Sequence, residues 1–281
     1  MNTIDKTEAF AEKLLVYDIS EAYLYHNINH TRRVVESAKE ILEHTNVDSE
    51  VEEIIIVSAW LHDLGYTVTD KGHEEESVKI AENFLKSIDK TPDYISRVVN
   101  CIRATKVNII PKSLEEEIIK DADCSHFASD DFKEISELLR QEIKRLGKQN
   151  YTIREWREEN IDMLSNKHNF YSSYAIKEWS SKKEDNLMNL IKKKNKIKKK
   201  YEKEEAKAKY KAKYKNENPE RSIQTLFRIT LRNHLKLSDI ADTKANILLS
   251  VNAIIISLAL SNIIPKLDNP SNQHLMIPTL I

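Results

Sequence analysis

The sequence predicts an all-α chain in which a helical N-terminal domain leads into a basic helical linker and then into the start of a transmembrane helical hairpin or bundle. Three observations predict it. Glycine (3) and proline (6) are scarce in 281 residues, which starves tight turns and hairpins while Leu, Ile, Lys and Glu favour helices. Apolar residues recur at helical spacing as far as Leu146. Positions 245–264, ANILLSVNAIIISLALSNII, carry no charge, and a run of that length can cross a bilayer.

Taken in order, Ile4, Phe10, Leu14 and Leu15 mark a first helix, and Val34, Val35, Ala38, Ile41 and Leu42 a second. Residues 50–63 are so densely apolar, from Val51 through Ile54, Ile55, Ile56 and Val57 to Trp60 and Leu61, that they predict a central helix buried on most sides. That helix delivers His62 and Asp63 at its end. Gly65 and Gly72 bracket a loop; helices are expected over 73–88 and, after Pro92, over 93–106. Two more follow, Leu114–Phe127 and Phe132–Leu146, parted by the turn-prone Ser129-Asp130-Asp131. From 182 to 215 there are fifteen lysines against five acids, a net of +10, which reads as a linker or solvated helix outside any core. The domain boundaries expected are 1–190, 191–219 and 220–281, with a transmembrane helix near 244–264.

Lysine plus arginine (44) and aspartate plus glutamate (45) nearly cancel, so overall charge selects no partner. Two cysteines, Cys101 and Cys124, are too few for a disulfide framework or a thiolate zinc site and fit a reducing compartment. The first thirty residues are charged throughout, which argues against a cleaved secretory signal. The lysine run has only Tyr201, Tyr210 and Tyr214 for base stacking, which argues against nucleic-acid binding.

The chemistry concentrates in histidines and aspartates spread over several helices: His26 and His30, the adjacent pair His62-Asp63, then Asp121 and Asp123. His26 and His30 stand four apart and share a face if that segment is helical. Imidazoles and carboxylates together suit a divalent ion that activates water for attack on a phosphorus ester. A lone histidine on an apolar helix is usually a packing residue, but a charged pair at the end of an apolar run needs a partner, and a metal ion would be one.

The blocks YHNINHTRRVV, AWLHDLGY, GHEEES and KDADCSHFASDDF, in this order, resemble the HD superfamily of metal-dependent phosphohydrolases over roughly residues 8–190. The resemblance implies a helical HD-type domain and an H…HD…D ligand set on His30, His62, Asp63 and Asp123, with Asp121 the alternative to Asp123. It implies a divalent cofactor, one or two ions of Mn²⁺, Fe²⁺, Co²⁺ or Mg²⁺. His73 is the candidate contact to a second ion, although Glu74, Glu75 and Glu76 also suit the first turn of a helix for its dipole alone. Asp63, His26 and Glu74 are the catalytic candidates, the last two for proton transfer. Lys106 and Arg32 are the candidates for holding a substrate phosphate, while Arg33 reads as a solvated surface residue.

The stretch SIQTLFRITLRNHLKLSDIADTKANILLSVNAIIISLALSNIIPKL resembles the first part of the membrane domain of Pycsar effector proteins, above all in ADTKANILLSVNAIIIS. Those proteins belong to bacterial anti-phage systems in which a partner cyclase makes a cyclic pyrimidine mononucleotide. The resemblance implies an inner-membrane protein with its HD domain on the cytoplasmic side, a nucleotide or cyclic nucleotide ligand such as cyclic CMP or cyclic UMP, contact with membrane lipid, and a homo-oligomer. A second apolar run, LMIPTLI, starts at Leu275. Other readings of the same residues are a non-catalytic nucleotide-sensing HD module, a housekeeping nucleotide hydrolase tethered to the membrane, and a soluble helix in place of the span.

Overall fold

Helix-stop and helix-start residues divide the chain where its apolar periodicity breaks. The structure, a computed structural model, describes residues 2–214 and 219–267. All regular structure among them is helical, as the composition requires. Seven helices and two 3₁₀ turns fill residues up to Arg145: α1 (Thr3–Tyr17), α2 (Ile28–Leu42), α3 (Ser49–Leu61), α4 (His73–Ser87), α5 (Pro92–Ala104), α6 (Leu114–Asp123) and α7 (Phe132–Arg145), with the 3₁₀ turns at Leu64–Thr67 and Ser125–Ala128. Then come α8 (Ile153–Asp162), α9 (Ser173–Tyr214) and α10 (Pro219–Leu267).

Side-chain caps explain most of the boundaries. Asn27, Asp48, Thr91 and Ser113 each accept a backbone N–H of the first turn that follows, replacing a bond that the helix itself cannot make. Asn2 with Asp5, and Thr152 with Glu155, form reciprocal capping boxes at α1 and α8. The cap at Asn27 has a consequence for the sequence reading. His26 lies before α2 rather than on it, so His26 and His30 do not share a helix face.

Residues 1–200 form one unit. Its axis is α3, in which every residue from Ile54 to Leu61 is buried, as expected of a helix that is apolar nearly all round. α1, α2, α5 and α6 pack against it, and α4 packs on α5. One expected helix is shorter than its apolar pattern: α6 ends at Asp123, and Ser125–Ala128 tightens into a 3₁₀ turn, so that Asp123 occupies a helix terminus. The basic stretch joins this unit at its start, where Lys183 donates to the His168 carbonyl at 2.8 Å and Asn186 to those of Phe127 and Ser129. From Lys192 to Lys211 the residues of α9 are exposed.

Residues 201–281 form the second unit. Within it α10 runs unbroken from Pro219 to Leu267. Ile223–Ser257 is, among the described residues, the one helical stretch long and apolar enough to cross a membrane. The run that starts at Leu275 lies outside the described residues.

Gly65 controls how closely α4 approaches the end of α3. Its N–H donates to Ser77 Oγ at 2.8 Å, and a Cβ placed there would stand 1.9 Å from the His73 carbonyl oxygen. That oxygen belongs to the backbone and has no flexible end to give way. Gly65→Ala is therefore expected to destabilise the protein by about 1–3 kcal/mol, read as a lower urea midpoint. An unchanged midpoint would show that α4 does not press on Gly65.

Candidate metal centre

Three helix ends bring four donor side chains to one point. His30 comes from the first turn of α2, His62 and Asp63 from the residues that follow α3, and Asp123 from the last position of α6. His30 Nε2 lies 3.2 Å from Asp63 Oδ2, 3.1 Å from Asp123 Oδ1 and 3.4 Å from His62 Nε2. His62 Nε2 lies 3.2 Å from Asp63 Oδ2 and 3.6 Å from Asp123 Oδ1. His30, His62 and Asp63 are buried, while Asp123 retains 21% of its side-chain exposure and forms the open side.

The donor set fits a divalent ion. Asp63 Oδ2 is buried and has no hydrogen-bond donor, although it sits at 3.2 Å from both imidazoles. His62 Nδ1 lies 2.9 Å from the Ala59 carbonyl oxygen, so the N–H belongs on that nitrogen and the lone pair of the neutral ring on Nε2, which faces the cluster. His30, His62 and Asp123 offer ligand atoms that all lie within 4.8 Å of one another. Two imidazole nitrogens with carboxylate oxygens are a set taken by Mn²⁺, Fe²⁺, Co²⁺ or Zn²⁺.

The electrostatics of the protein chain alone point the same way. Burial works against charge on His30 and His62, but the nearby carboxylates of Asp63 and Asp123 outweigh it, and both imidazoles have pKa values above the ordinary histidine range. Burial also disfavours the charged forms of Asp63 and Asp123, yet the neighbouring histidines hold both below the ordinary carboxylate range. The two carboxylates thus stay ionised, and positive charge beside them is favoured.

A second layer of side chains positions the first. His26 Nδ1 pairs with the Glu142 carboxylate, and Glu142 also accepts the backbone N–H groups of Tyr25 at 2.7 Å and His26 at 2.9 Å. The Tyr66 ring stacks on His26 and on His73, with centroids 4.3 and 3.9 Å apart, and its hydroxyl lies 3.3 Å from His26 Nε2. His73 Nε2 is 3.7 Å from Asp63 Oδ1, and its Nδ1 is 3.7 Å from Glu74 Oε2. Burial lowers the pKa of His73. His26, His73 and Glu74 therefore stand at the edge of the cluster, within one residue of its donors.

Other sequence candidates have different tasks. Asp121, two positions from Asp123 and so on the opposite side of α6, accepts from the backbone N–H of Tyr171, the N–H of Ser172 and the Ser172 hydroxyl, at 2.7 to 3.0 Å. It fastens the chain entering α9 instead of facing the donors, and burial raises its pKa to about 6 against those bonds. Arg32 turns to Glu12 of α1 at 2.6 Å, and Lys106 to Glu75 at 2.8 Å, so neither guanidinium nor ammonium is held at the cluster. Arg33, expected in solvent, is half-buried, with its Cζ 5.9 Å from the Tyr25 ring centroid.

Residues that the sequence reading passed over complete the surroundings. Glu142 is 2% exposed in the last turn of α7, among residues that read as solvated. The Tyr25 ring lies against that of His30, tilted, with centroids 4.6 Å apart, and its hydroxyl lies 3.2 Å from His126 Nδ1. Lys120 is buried and donates to the carbonyls of Ala104 and Lys106, at 2.8 and 2.6 Å, which closes the C-terminal end of α5. The YHNINH and KDADCSH blocks contain Tyr25, His126 and Lys120, so their nearness to the ligands was open to view; Glu142 carries no comparable local signal.

Comparison with known proteins agrees with this arrangement of helix ends. Residues 27–128 match the family model described as the HD domain. An HD domain is present. It begins at the cap of α2 and ends in the 3₁₀ turn after Asp123, so all four converging donors of the HD domain fall inside the match. Among solved structures, a crystal structure titled as a predicted HD superfamily hydrolase from an uncultured Thermotogales bacterium is similar at 20% identity, with 69% of this chain and 92% of that one covered and a TM-score of 0.44. No curated protein matches the chain.

Asp121 and Asp123 give opposite expectations on substitution. Asp123→Asn is expected to lower the Mn²⁺ retained after gel filtration, measured by elemental analysis, with little change in folding. Asp121→Asn is expected to retain the ion but to lose about 1–3 kcal/mol of stability, since a carboxylate held by three donors is replaced by an amide that brings N–H groups of its own. Equal metal content in the two variants would remove Asp123 from the ligand set.

Proposed function

We propose that this chain is a membrane-anchored, metal-dependent phosphohydrolase that acts on a nucleotide or cyclic nucleotide, and that it serves as an effector of bacterial anti-phage defence of the Pycsar kind. The observation that carries the hydrolytic part is the convergence of His30, His62, Asp63 and Asp123, with the buried Asp63 Oδ2 lacking any donor. The defence and membrane parts rest on the resemblance of residues 222–267 and on the candidate span Ile223–Ser257.

On this reading the four residues hold the divalent ion. When bound, such an ion polarises a phosphoryl oxygen and lowers the pKa of a coordinated water into the neutral range. The remaining work belongs to the chain. The Ala59 carbonyl fixes the ring of His62 so that Nε2 faces inward. Glu142 sets the orientation of His26 by pairing with Nδ1, which leaves Nε2, beside the Tyr66 hydroxyl, as the atom that takes or gives a proton. Glu74 stands behind His73 and is the alternative proton carrier. Lys106 reaches a substrate phosphate only by releasing Glu75.

The lysine-rich residues of α9 and the arginines and lysine of α10 upstream of the uncharged run support a cytoplasmic position for the HD domain at the inner membrane, since basic flanks stay on that side and are attracted to anionic headgroups. The ligand class follows the same resemblance, with cyclic CMP and cyclic UMP the first to try.

The purified protein loaded with Mn²⁺ is expected to hydrolyse at least one member of a panel of nucleotides and cyclic nucleotides. Asp63→Ala should reduce the rate by 10³-fold or more, to the background of the metal-free protein, while circular dichroism stays native. Activity surviving in Asp63→Ala would refute the assignment. In fractionated cells the full chain is expected in the membrane pool and a chain ending before Lys244 in the soluble pool; a soluble full chain would reject the anchor.

A further inference from the structure

A cavity of about 460 Å³ lies between α2, the 3₁₀ turn after α6, α7 and α9. Arg33, Ser37, Ser125 and His126 line it, with Ile135 and Trp179 as its apolar wall, and none of the four converging donors does. Arg33 is the unusual member. Its Nη2 is wholly shielded from solvent and has no hydrogen-bond partner, and no carboxylate stands within ion-pair distance of its guanidinium among the described residues. Arg97, Arg103 and Arg140, by contrast, are each paired with a glutamate.

A guanidinium cannot shed its proton, so one half withdrawn from water without a counter-charge costs free energy, part of which an anion bound beside it recovers. Three acids line the cavity: Asp130 is exposed to solvent, and the other two are already in use. Glu40 accepts from Tyr174 and Trp179 at 2.8 and 3.1 Å, and Glu36 pairs with Lys39 at 3.0 Å. Beside Arg33, Ser37 donates to Ser125 Oγ at 2.8 Å, which leaves the Ser125 hydroxyl proton to be offered to an anion oxygen. The volume exceeds what a lone phosphate needs, and the apolar wall suits an organic moiety.

We propose that this cavity is a second ligand site, distinct from the metal centre, which takes a small phosphate-bearing molecule of nucleotide size with its phosphate on Arg33 and Ser125. The site also has a route to the metal centre. Arg33 lies against Tyr25, Tyr25 lies against His30, and the Tyr25 hydroxyl meets His126, which itself lines the cavity. A ligand that draws Arg33 or His126 toward itself shifts the ring that backs His30, so occupancy is coupled to the donor geometry. This inference goes beyond hydrolysis and does not depend on it.

The test is calorimetric titration of the full-length protein with inorganic phosphate and with CMP. Wild type is expected to bind both, CMP more tightly, and Asp63→Ala is expected still to bind both, its affinity changed only by the coupling through Tyr25, because the phosphate does not touch the metal centre. Arg33→Met should weaken binding by about 10- to 100-fold, the loss of one or two charge-assisted hydrogen bonds. Arg33→Lys, which keeps the charge, supplies the same comparison if the methionine variant does not fold, and should lose less. Binding that disappears in Asp63→Ala but persists in Arg33→Met would overturn the proposal by placing the phosphate on the metal. Absence of binding in wild type would overturn it outright.

Discussion

Asp63 and Asp123 share one largely buried space with His30 and His62, and the free-energy cost of taking four ionisable groups out of water is what the rest of the domain is arranged to offset. Each carboxylate is held ionised by imidazoles that its own field keeps more basic, so the charges are tolerable only as a set. This explains why the set lies on helix ends. A helix interior points its side chains outward from a closed backbone, whereas the ends of α3 and α6 and the start of α2 let polar side chains turn toward one another without breaking a backbone bond. The all-round burial of α3 then makes the meeting point rigid, because its last turn cannot rotate without exposing Ile54 to Leu61.

Two further buried carboxylates act as fasteners rather than ligands. Glu142, from α7, takes two backbone N–H groups of the segment before α2 and the ring of His26. Asp121, from α6, takes two backbone N–H groups and a hydroxyl of the segment before α9. Both gather donors that loops cannot satisfy internally; Asp121 ties the start of α9 to residues 27–128, and Glu142 ties α7 to the segment that leads into them. The HD domain proper supplies the donor set and, through Asp121, fixes the start of α9, while α7, which follows it, fixes the direction from which His26 approaches.

The helices themselves could be read from the sequence, and the reasons are local. The dense run Val51–Leu61 has only one comfortable place in a small domain, its centre, and Pro92 and the acids after Gly72 announce the starts of α5 and α4. The His62-Asp63 pair was legible because charges at the end of such a run need a partner. Asp121 against Asp123 was not, because two residues on one helix turn point to opposite sides and the sequence does not say which side faces the histidines. Asn27 as a cap could have separated His26 from α2, and Thr152 with Glu155 could have announced α8, since both are short-range signals. Glu142 and Arg33 depend on contacts formed by distant segments, and no residue beside either in sequence announces them.

The same accounting applies to α10 if it lies in lipid. Hydroxyls in an apolar helix can return their donors to the backbone, and Ser250 does so to the Asn246 carbonyl at 2.8 Å, as Thr243 does to Asp239 and Thr230 to Leu226. These residues then cost little more than alanine would. Asn246 and Asn252 make no such side-chain bond among the described residues, and an amide left without a partner in hydrocarbon is among the costlier neutral groups. The cheapest remedy is another helix bearing the same asparagines, since amides donate and accept at once and pair with their own kind. In lipid, the polar residues that weaken the run as a solitary span would thus favour its packing against another helix.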